Sequence, residues 1–447
     1  MVWRVAKATV IRFMSQPRVP VLIVATTPWS IAARVAARLV QHGCEVFALC
    51  PRGHPLNHVS GLRLSYWRAS RNTTAQLGVV ISEVSPCIVV PCDDRAVWQL
   101  HELYEQEQSC RSLIELSIGS SRHFPSVRSR NKLIEIARSL GLLVPETQLI
   151  AEPQQIRSWF EKTPGPAVMK FDGTWGGGGV EFVRSAEEGV ATWHTFRRSQ
   201  PLSLAWKRLL INRDPLAFWR GPESLGRAVS MQTFIPGELA NTMVACWRGQ
   251  VLGAVSVRVL CTQHPRGAST VIQLCKHEEM TRAAVRLAGE LELSGFFGLD
   301  YVMEAGTGRA HLIELNARCT QLGHLILPEQ GDLIGMLCAK LGASGGAESH
   351  IPIAGDTIAL FPQALAWNPD SSYLATCHHD IPWTEPALVR ELMRDSWAER
   401  QLVARVYHRL RGRKRNPVPS MPGFLQVASA SGWPNFFRDV SSRRRSG

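Results

Sequence analysis

The sequence predicts a chain of mixed α/β and α+β class, a parallel βαβ unit followed by a larger, mainly antiparallel part. Three observations carry this. Two apolar runs flank an amphipathic helix pattern between residues 18 and 50. A strand, a loop with four consecutive glycines and a second strand fill 166–183. A strand–turn–strand pattern with acidic and amide residues on one face fills 295–318.

Arg18 to Ala25 reads as a buried strand, since its apolar run shows no polar alternation. Ser30 is the expected cap of a helix that puts Ile31, Val35 and Leu39 on one face and ends at Gly43. Glu45 to Cys50 completes the βαβ unit. Cys87 to Pro91 adds a strand ahead of a helix at about Asp94 to Gln106. The first turn, Thr26-Thr27-Pro28-Trp29, lacks the glycines a dinucleotide requires, which counts against an oxidoreductase. Ser129 caps a further helix pattern, Leu133, Ile136, Ala137 and Leu140, that stops at Gly141.

Pro166 to Lys170 reads as a short strand, followed by Gly173 and Gly176-Gly177-Gly178-Gly179, and then by Val180 to Val183. Successive glycines let backbone N–H groups approach phosphate oxygens closely, and Lys170 adds a cation at the strand end. No Gly-Lys-Ser/Thr opens a helix here, so this is not a Walker loop. Residues 190–230, rich in Trp and Arg, read as a helical insertion with Arg197, Arg198, Lys207 and Arg208 on a solvated face.

In the 295–318 segment, with the turn centred on Thr307, Asp300 and Glu314 each lie seven residues away and face each other across the hairpin. Asn316 shares their face, being two residues from Glu314. The other face carries Phe297, Leu299, Tyr301, Met303, Ile313 and Leu315, and His311 is expected to be packed there. Three oxygen-bearing side chains suit Mg²⁺, a hard cation that bridges protein carboxylates and substrate phosphates.

The chain has 447 residues, 45% hydrophobic, enough for two or three domains. No apolar stretch is long enough to span a bilayer, and the charged N-terminal run does not read as a signal peptide. Eleven scattered cysteines point to reduced thiols in the cytoplasm rather than to a disulfide framework. The net charge of +13 is concentrated partly in Arg409–Arg415 and Arg443–Arg445, runs that read as solvated tails. No aromatic-interleaved motif accompanies them, so nucleic acid is not an expected partner. Beyond residue 350, Trp367 and Trp383 suggest an ordered appendage ahead of this tail.

Over roughly residues 20–340 the chain resembles the ATP-grasp superfamily, in particular the group of carbamoyl-phosphate synthase large subunit, biotin carboxylase and D-alanine–D-alanine ligase. The resemblance implies a Rossmann-like pre-ATP-grasp domain (18–125) and a two-subdomain ATP-grasp domain (126–345), with a C-terminal appendage (350–447). It implies metal ligands at Asp300, Glu314 and Asn316, for Mg²⁺ or Mn²⁺. It implies ATP contacts at Lys132, Lys170 and the loop glycines Gly176 to Gly179. Gln232, in Met231-Gln232-Thr-Phe-Ile235-Pro-Gly-Glu238, takes the adenine position usually held by an acid. Ile235 would cover the base and Glu238 the ribose. Arg266, Ser269, Thr270 and Arg318 would line the substrate side, with Lys170 and Arg318 acting in catalysis. The implied activity is ATP-dependent ligation of a small carboxylate to an amine or another nucleophile through an acyl phosphate. A non-catalytic ATP-binding module is the alternative within the same fold, suggested by Gln232.

Overall fold

The computed structural model describes residues 18–172, 179–197, 228–265, 267–327, 331–343, 355–395 and 418–430, with 214, 216, 400, 402, 405, 406 and 409 between them. The N-terminal unit runs β1 (Pro20–Val24), α1 (Ser30–Gln41), β2 (Glu45–Cys50), β3 (Leu62–Tyr66), α2 (Thr73–Val84), β4 (Ile88–Pro91) and α3 (Asp94–Gln106). Its four strands are parallel in the order β3-β2-β1-β4. Because β1 is covered on both faces, Val21, Leu22, Ile23 and Val24 are all fully buried, which explains the unbroken apolar run. Ser30 is the first helical residue of α1 rather than its cap, a place taken by Trp29 without a side-chain hydrogen bond.

Helices α4 (Arg111–Ile118), α5 (Phe124–Arg128) and α6 (Arg130–Ser139) lead into a smaller antiparallel sheet. That sheet consists of β5 (Thr147–Ile150), β6 (Ala167–Phe171), β7 (Val180–Val183) and β8 (Val229–Thr233), in the order β5-β8-β6-β7. Helices α7 (Pro153–Lys162) and α8 (Ala186–Arg197) cover it through Ile156, Trp159 and Val190. The expected 190–230 insertion is thus helical at its start and strand at its end, with most of its middle outside the described residues. Arg198, Lys207 and Arg208 fall in that part.

The larger sheet holds β9 (Gly237–Trp247), β10 (Gln250–Thr262), β11 (Ser269–Leu274), β12 (Gly295–Glu304) and β13 (Ala310–Asn316), in the order β13-β12-β9-β10-β11. A short hairpin, β14 (Ile326–Leu327) and β15 (Gly331–Asp332), lies apart, while β16 (Thr357–Ala359) and β17 (His378–His379) extend the sheet beyond β11. One face packs on α6 and on α9 (Glu278–Glu290), burying Phe297, Leu299, Tyr301 and Met303. The opposite face shares a core with α1 and with α10 (Leu333–Lys340), through Met243, Ala245 and Phe296. Gly295 opens β12 at φ 74°, against the carbonyl of Ser117, a conformation and an approach that a side chain would spoil.

The hairpin turn differs from the simple mirror about Thr307. Asp300 does pair with Glu314, but Tyr301 pairs with Leu312 and Val302 with His311, so Ile313 is an extra residue. This β-bulge changes which residues reach the core. Leu312 and Ala310 are buried there, whereas Ile313 is only half-buried and leaves the expected apolar row. His311 is likewise not packed in that core, and its Nε2 lies 3.5 Å from Glu304. The appendage residues 355–395 and 418–430 dock on the same core as α1 and α10, with Phe424 fully buried and 6.0 Å from the Trp383 ring. No described helix is long and apolar enough to cross a membrane.

Candidate active site

The bulge in β13 brings the candidate residues together. An extra strand residue leaves its backbone groups outside the ladder, and the Ile313 carbonyl accepts a hydrogen bond from Lys170 Nζ at 3.1 Å. Lys170, near the end of β6 in the smaller sheet, is thereby tied to the acidic hairpin of the larger one. It is 4% exposed, and burial draws its ammonium down to about 8 while Glu314 pulls the other way.

Asp300 accepts from Asn316 Nδ2 at 2.9 Å and from Asn241 Nδ2 at 2.6 Å. Burial and the facing charge of Glu314 raise its carboxyl to about 6. Glu314 meets Arg130, whose Nη2 and Nε lie 2.8 and 3.1 Å from its Oε1. Burial opposes its charge, but Arg130 and Lys170 outweigh burial and hold it below the usual carboxylate range. Arg130 also donates to the Phe171 carbonyl at 2.8 Å and stands 3.5 Å from Asp172. Arg318 forks onto Asp94, the first residue of α3, at 2.7 and 3.2 Å, and reaches Asn316 Oδ1 at 3.2 Å. Its guanidinium lies 5.2 Å from the Trp29 ring centroid, so the N-terminal unit forms one wall of the site.

The remaining sequence candidates are placed unequally. Ser269 reaches the Asp300 cluster through Asn241, at 3.4 Å. Thr270 does not: neighbouring strand residues point to opposite faces, and its hydroxyl bonds Asn368 of the appendage. Lys132 is an exposed residue in the first turn of α6, and Arg130, two residues earlier, is the basic side chain on the carboxylates. Gln232 is 2% exposed on β8, and its Nε2 has no hydrogen-bond partner among the described residues. Ile235 is half-buried beyond it, and Glu238 is exposed at the start of β9. Gly179 precedes β7, where its carbonyl accepts from Phe171 N at 2.9 Å. Gly176, Gly177, Gly178 and Arg266 lie outside the described residues.

Sequence reasoning missed Arg130, Asn241, Asp94 and Asp172. Arg130 sits in the same segment as Lys132, and nothing local says which of the two turns inward. Asn241 pairs with Asp300 only because β9 is the other neighbour of β12.

The donor set suits Mg²⁺. Asp300, Glu314 and the Asn316 amide share one face, and no group of three His, Cys, Asp or Glu side chains competes with it among the described residues. Mg²⁺ uses one or two protein carboxylates, completing its shell with water and substrate phosphate. A carboxyl raised to about 6 by burial and by a second carboxylate is also a group that a cation would relieve. The orphan amide of Gln232 in turn fits a heterocycle rich in nitrogen acceptors.

At the first turn of the N-terminal unit, the backbone N–H groups of Thr26 and Thr27 donate to Asp93 at 2.6 and 3.2 Å. Asp93 also caps α3 through Ala96 N at 3.0 Å. A carboxylate thus already holds the donors that a dinucleotide's pyrophosphate would need there.

Comparison with solved structures assigns the fold. The chain is similar to the biotin carboxylase domain of Hydrogenobacter thermophilus 2-oxoglutarate carboxylase, solved with MgADP, ADP and bicarbonate. The identity is 12% and the TM-score 0.51, covering 74% of this chain and 71% of that one. It is similar to the L-amino acid ligase of Bacillus licheniformis at 15% identity and TM-score 0.51, covering 75% and 78%. It is similar to an N5-carboxyaminoimidazole ribonucleotide synthetase in its ADP complex at 16% and 0.50, covering 73% and 78%. No family model matches the sequence, and no curated protein matches it. The architecture is the ATP-grasp fold shared by these enzymes.

Proposed function

We propose that this protein is an ATP-dependent carboxylate–amine ligase that activates a small carboxylate as an acyl phosphate. The observation that carries the reading is the joining of Lys170, Arg130, Asp300, Glu314 and Asn316 around the β13 bulge. A triphosphate needs positive charge and backbone donors on one side and a metal-bridging carboxylate pair on the other. The strand ends of the glycine-rich hairpin supply the first, and β12 and β13 the second. The domain division expected from the sequence, with a Rossmann-like unit at 18–125, has the support of the parallel β3-β2-β1-β4 order.

In this scheme Lys170 holds phosphate oxygens, and Arg130, which here pairs with Glu314, would be a second cation for them. Lys132, two residues further along the same first turn of α6, would reach the phosphates from solvent. Gln232, Ile235 and Glu238 take the adenosine, with the Gln232 carbonyl accepting from the adenine amino group. Mg²⁺, held by Asp300, Glu314 and Asn316, would offset the charge that builds between carboxylate and γ-phosphate. Arg318, held in place by Asp94, is aimed at the carboxyl oxygens and stabilises the developing oxyanion. As the amine attacks, the new C–N bond forms and the C–O bond to phosphate breaks. Phosphate leaves with the electron pair, and the amine's surplus proton passes to solvent.

The test is ADP release from Mg²⁺–ATP with pools of amino acids and other carboxylates, run beside Glu314→Ala. Acceptor-dependent ADP that falls at least 10³-fold in the variant is expected, as removing a metal-bridging carboxylate removes several kcal/mol of charge stabilisation. ATP binding without acceptor-dependent ADP release from any pool would favour the binding-module alternative.

A further inference from the structure

Cys44 and Cys338 meet sulfur to sulfur where the N-terminal unit packs on α10. Cys44 follows the turn that ends α1, and Cys338 lies in α10, 294 positions further along the chain. Their Sγ atoms stand 3.6 Å apart. Both are free thiols, 2% and 1% exposed, in the core that α1 and α10 share. An S–S bond is about 2 Å long, so a shift of side-chain scale would join them.

The two thiols are not equivalent. Burial alone raises Cys50, to about 12, and it raises Cys246 as well. At Cys44 the hydrogen bond from the Cys338 thiol outweighs burial and draws it below the usual thiol value. The same bond, followed by burial, holds the proton on Cys338. An attacking sulfur and a resolving sulfur are thus already in contact. Gly43, beside Cys44 in the turn, is partly exposed, so Cys44 lies one residue below the surface.

We propose that Cys44 and Cys338 form a redox-modification site, which closes to a reversible disulfide when a hydroperoxide reaches Cys44. With hydrogen peroxide, the Cys44 sulfur attacks one oxygen, so that an S–O bond forms and the O–O bond breaks. The leaving hydroxide takes a proton from solvent, replacing the one Cys44 released, and departs as water. Cys338 then attacks the Cys44 sulfur. The S–S bond forms, the S–O bond breaks, and the Cys338 proton leaves with that oxygen as a second water. The two sulfurs together give up two electrons, and one peroxide is reduced.

This bond would fasten α10 to the unit that places Trp29 and Asp94 around Arg318. Closing so long a loop also restricts the unfolded chain strongly. Formation of the bond needs no ligase activity, and its test reads none.

The test is peptide mapping of the full chain after excess hydrogen peroxide under native conditions, with alkylation in denaturant and digestion without reductant. A Cys44–Cys338 cross-linked peptide should be the main disulfide product and should vanish with dithiothreitol. In Cys338→Ala, Cys44 should stop at the sulfenic acid and be captured by dimedone. In Cys44→Ala, Cys338 should stay open to alkylation. Scanning calorimetry should show the oxidised wild type melting about 3 °C above the reduced form, with no such rise in either variant. A peroxide-treated wild type without the cross-link overturns the proposal. So does a Cys44 that bridges chiefly to another cysteine, or an equal rise in melting temperature in Cys338→Ala.

Discussion

Two buried charge clusters in this protein are built to opposite ends. Where α1 meets α10, Asp332 accepts from His42 at 2.6 Å, from Arg38, and from Ile334 N at 3.1 Å. Burial opposes its charge, yet these partners hold it at about 2. In the candidate site, burial and Glu314 raise Asp300 to about 6, and burial draws Lys170 down to about 8. The first cluster is electrostatically complete. The second leaves an acid and a base both short of countercharge, each shifted toward its neutral form. Structural pairs satisfy themselves, whereas a cluster left short of countercharge is what the proposed metal and triphosphate site calls for.

The sharpest way to break this comparison is Lys170→Met. If the buried lysine is held for phosphate, Mg²⁺–ATP affinity measured by calorimetry should fall about 100-fold, the scale expected for removing one charge-assisted hydrogen bond from a dry site. An affinity within twofold of wild type would make Lys170 a structural residue like Arg38.

Next in size is the pH dependence of stability, which should have opposite signs in the two clusters. Asp332 lies below the ordinary carboxylate value, so its contribution is present above about pH 4 and is lost as pH falls toward 2. Asp300 lies above it, so its contribution is present below about pH 4 and is lost as pH rises through about 6. Urea titrations of Asp332→Asn and Asp300→Asn against wild type should show differences of about 2 kcal/mol that change in these two directions. Parallel pH curves would remove the distinction.

A smaller effect separates the two basic residues of α6. Arg130→Met should weaken nucleotide-dependent Mg²⁺ binding about tenfold, and Lys132→Met by less, since of the two it is Arg130 that touches Glu314. The reverse order would make the Arg130–Glu314 pair a purely structural contact. Smallest is Ser129→Ala. Ser129 Oγ accepts from Lys132 N at 3.4 Å and caps the helix that carries both residues, so its loss should cost about 1 kcal/mol in the same titrations.

Legibility varied from one residue to the next. The βαβ start, the β6–β7 hairpin and the facing of Asp300 and Glu314 could be read because each rests on periodicity and turn chemistry between near neighbours in the chain. The bulge at Ile313 could not, and with it went the burial of Leu312 and the anchor for Lys170. A bulge is set by what the strand packs against, and the sequence shows only alternation. The different partners of Ser269 and Thr270 were unreadable for a related reason: the two are adjacent, and only the docked sheet says which looks toward Asn241.

By itself, the sequence determined the chemical inventory and the local elements. It supplied a glycine loop after Lys170, an acidic hairpin, a cap at Ser129, and a turn without dinucleotide glycines. The tertiary structure decided which of these meet. It placed Arg130 rather than Lys132 on Glu314, set Asp94 of the N-terminal unit on Arg318, and brought Gln363 of the appendage to the same cleft as Gln321. Those pairings join residues as much as 224 positions apart. Burial and charge coupling act through space, and no local pattern in a single sequence records them.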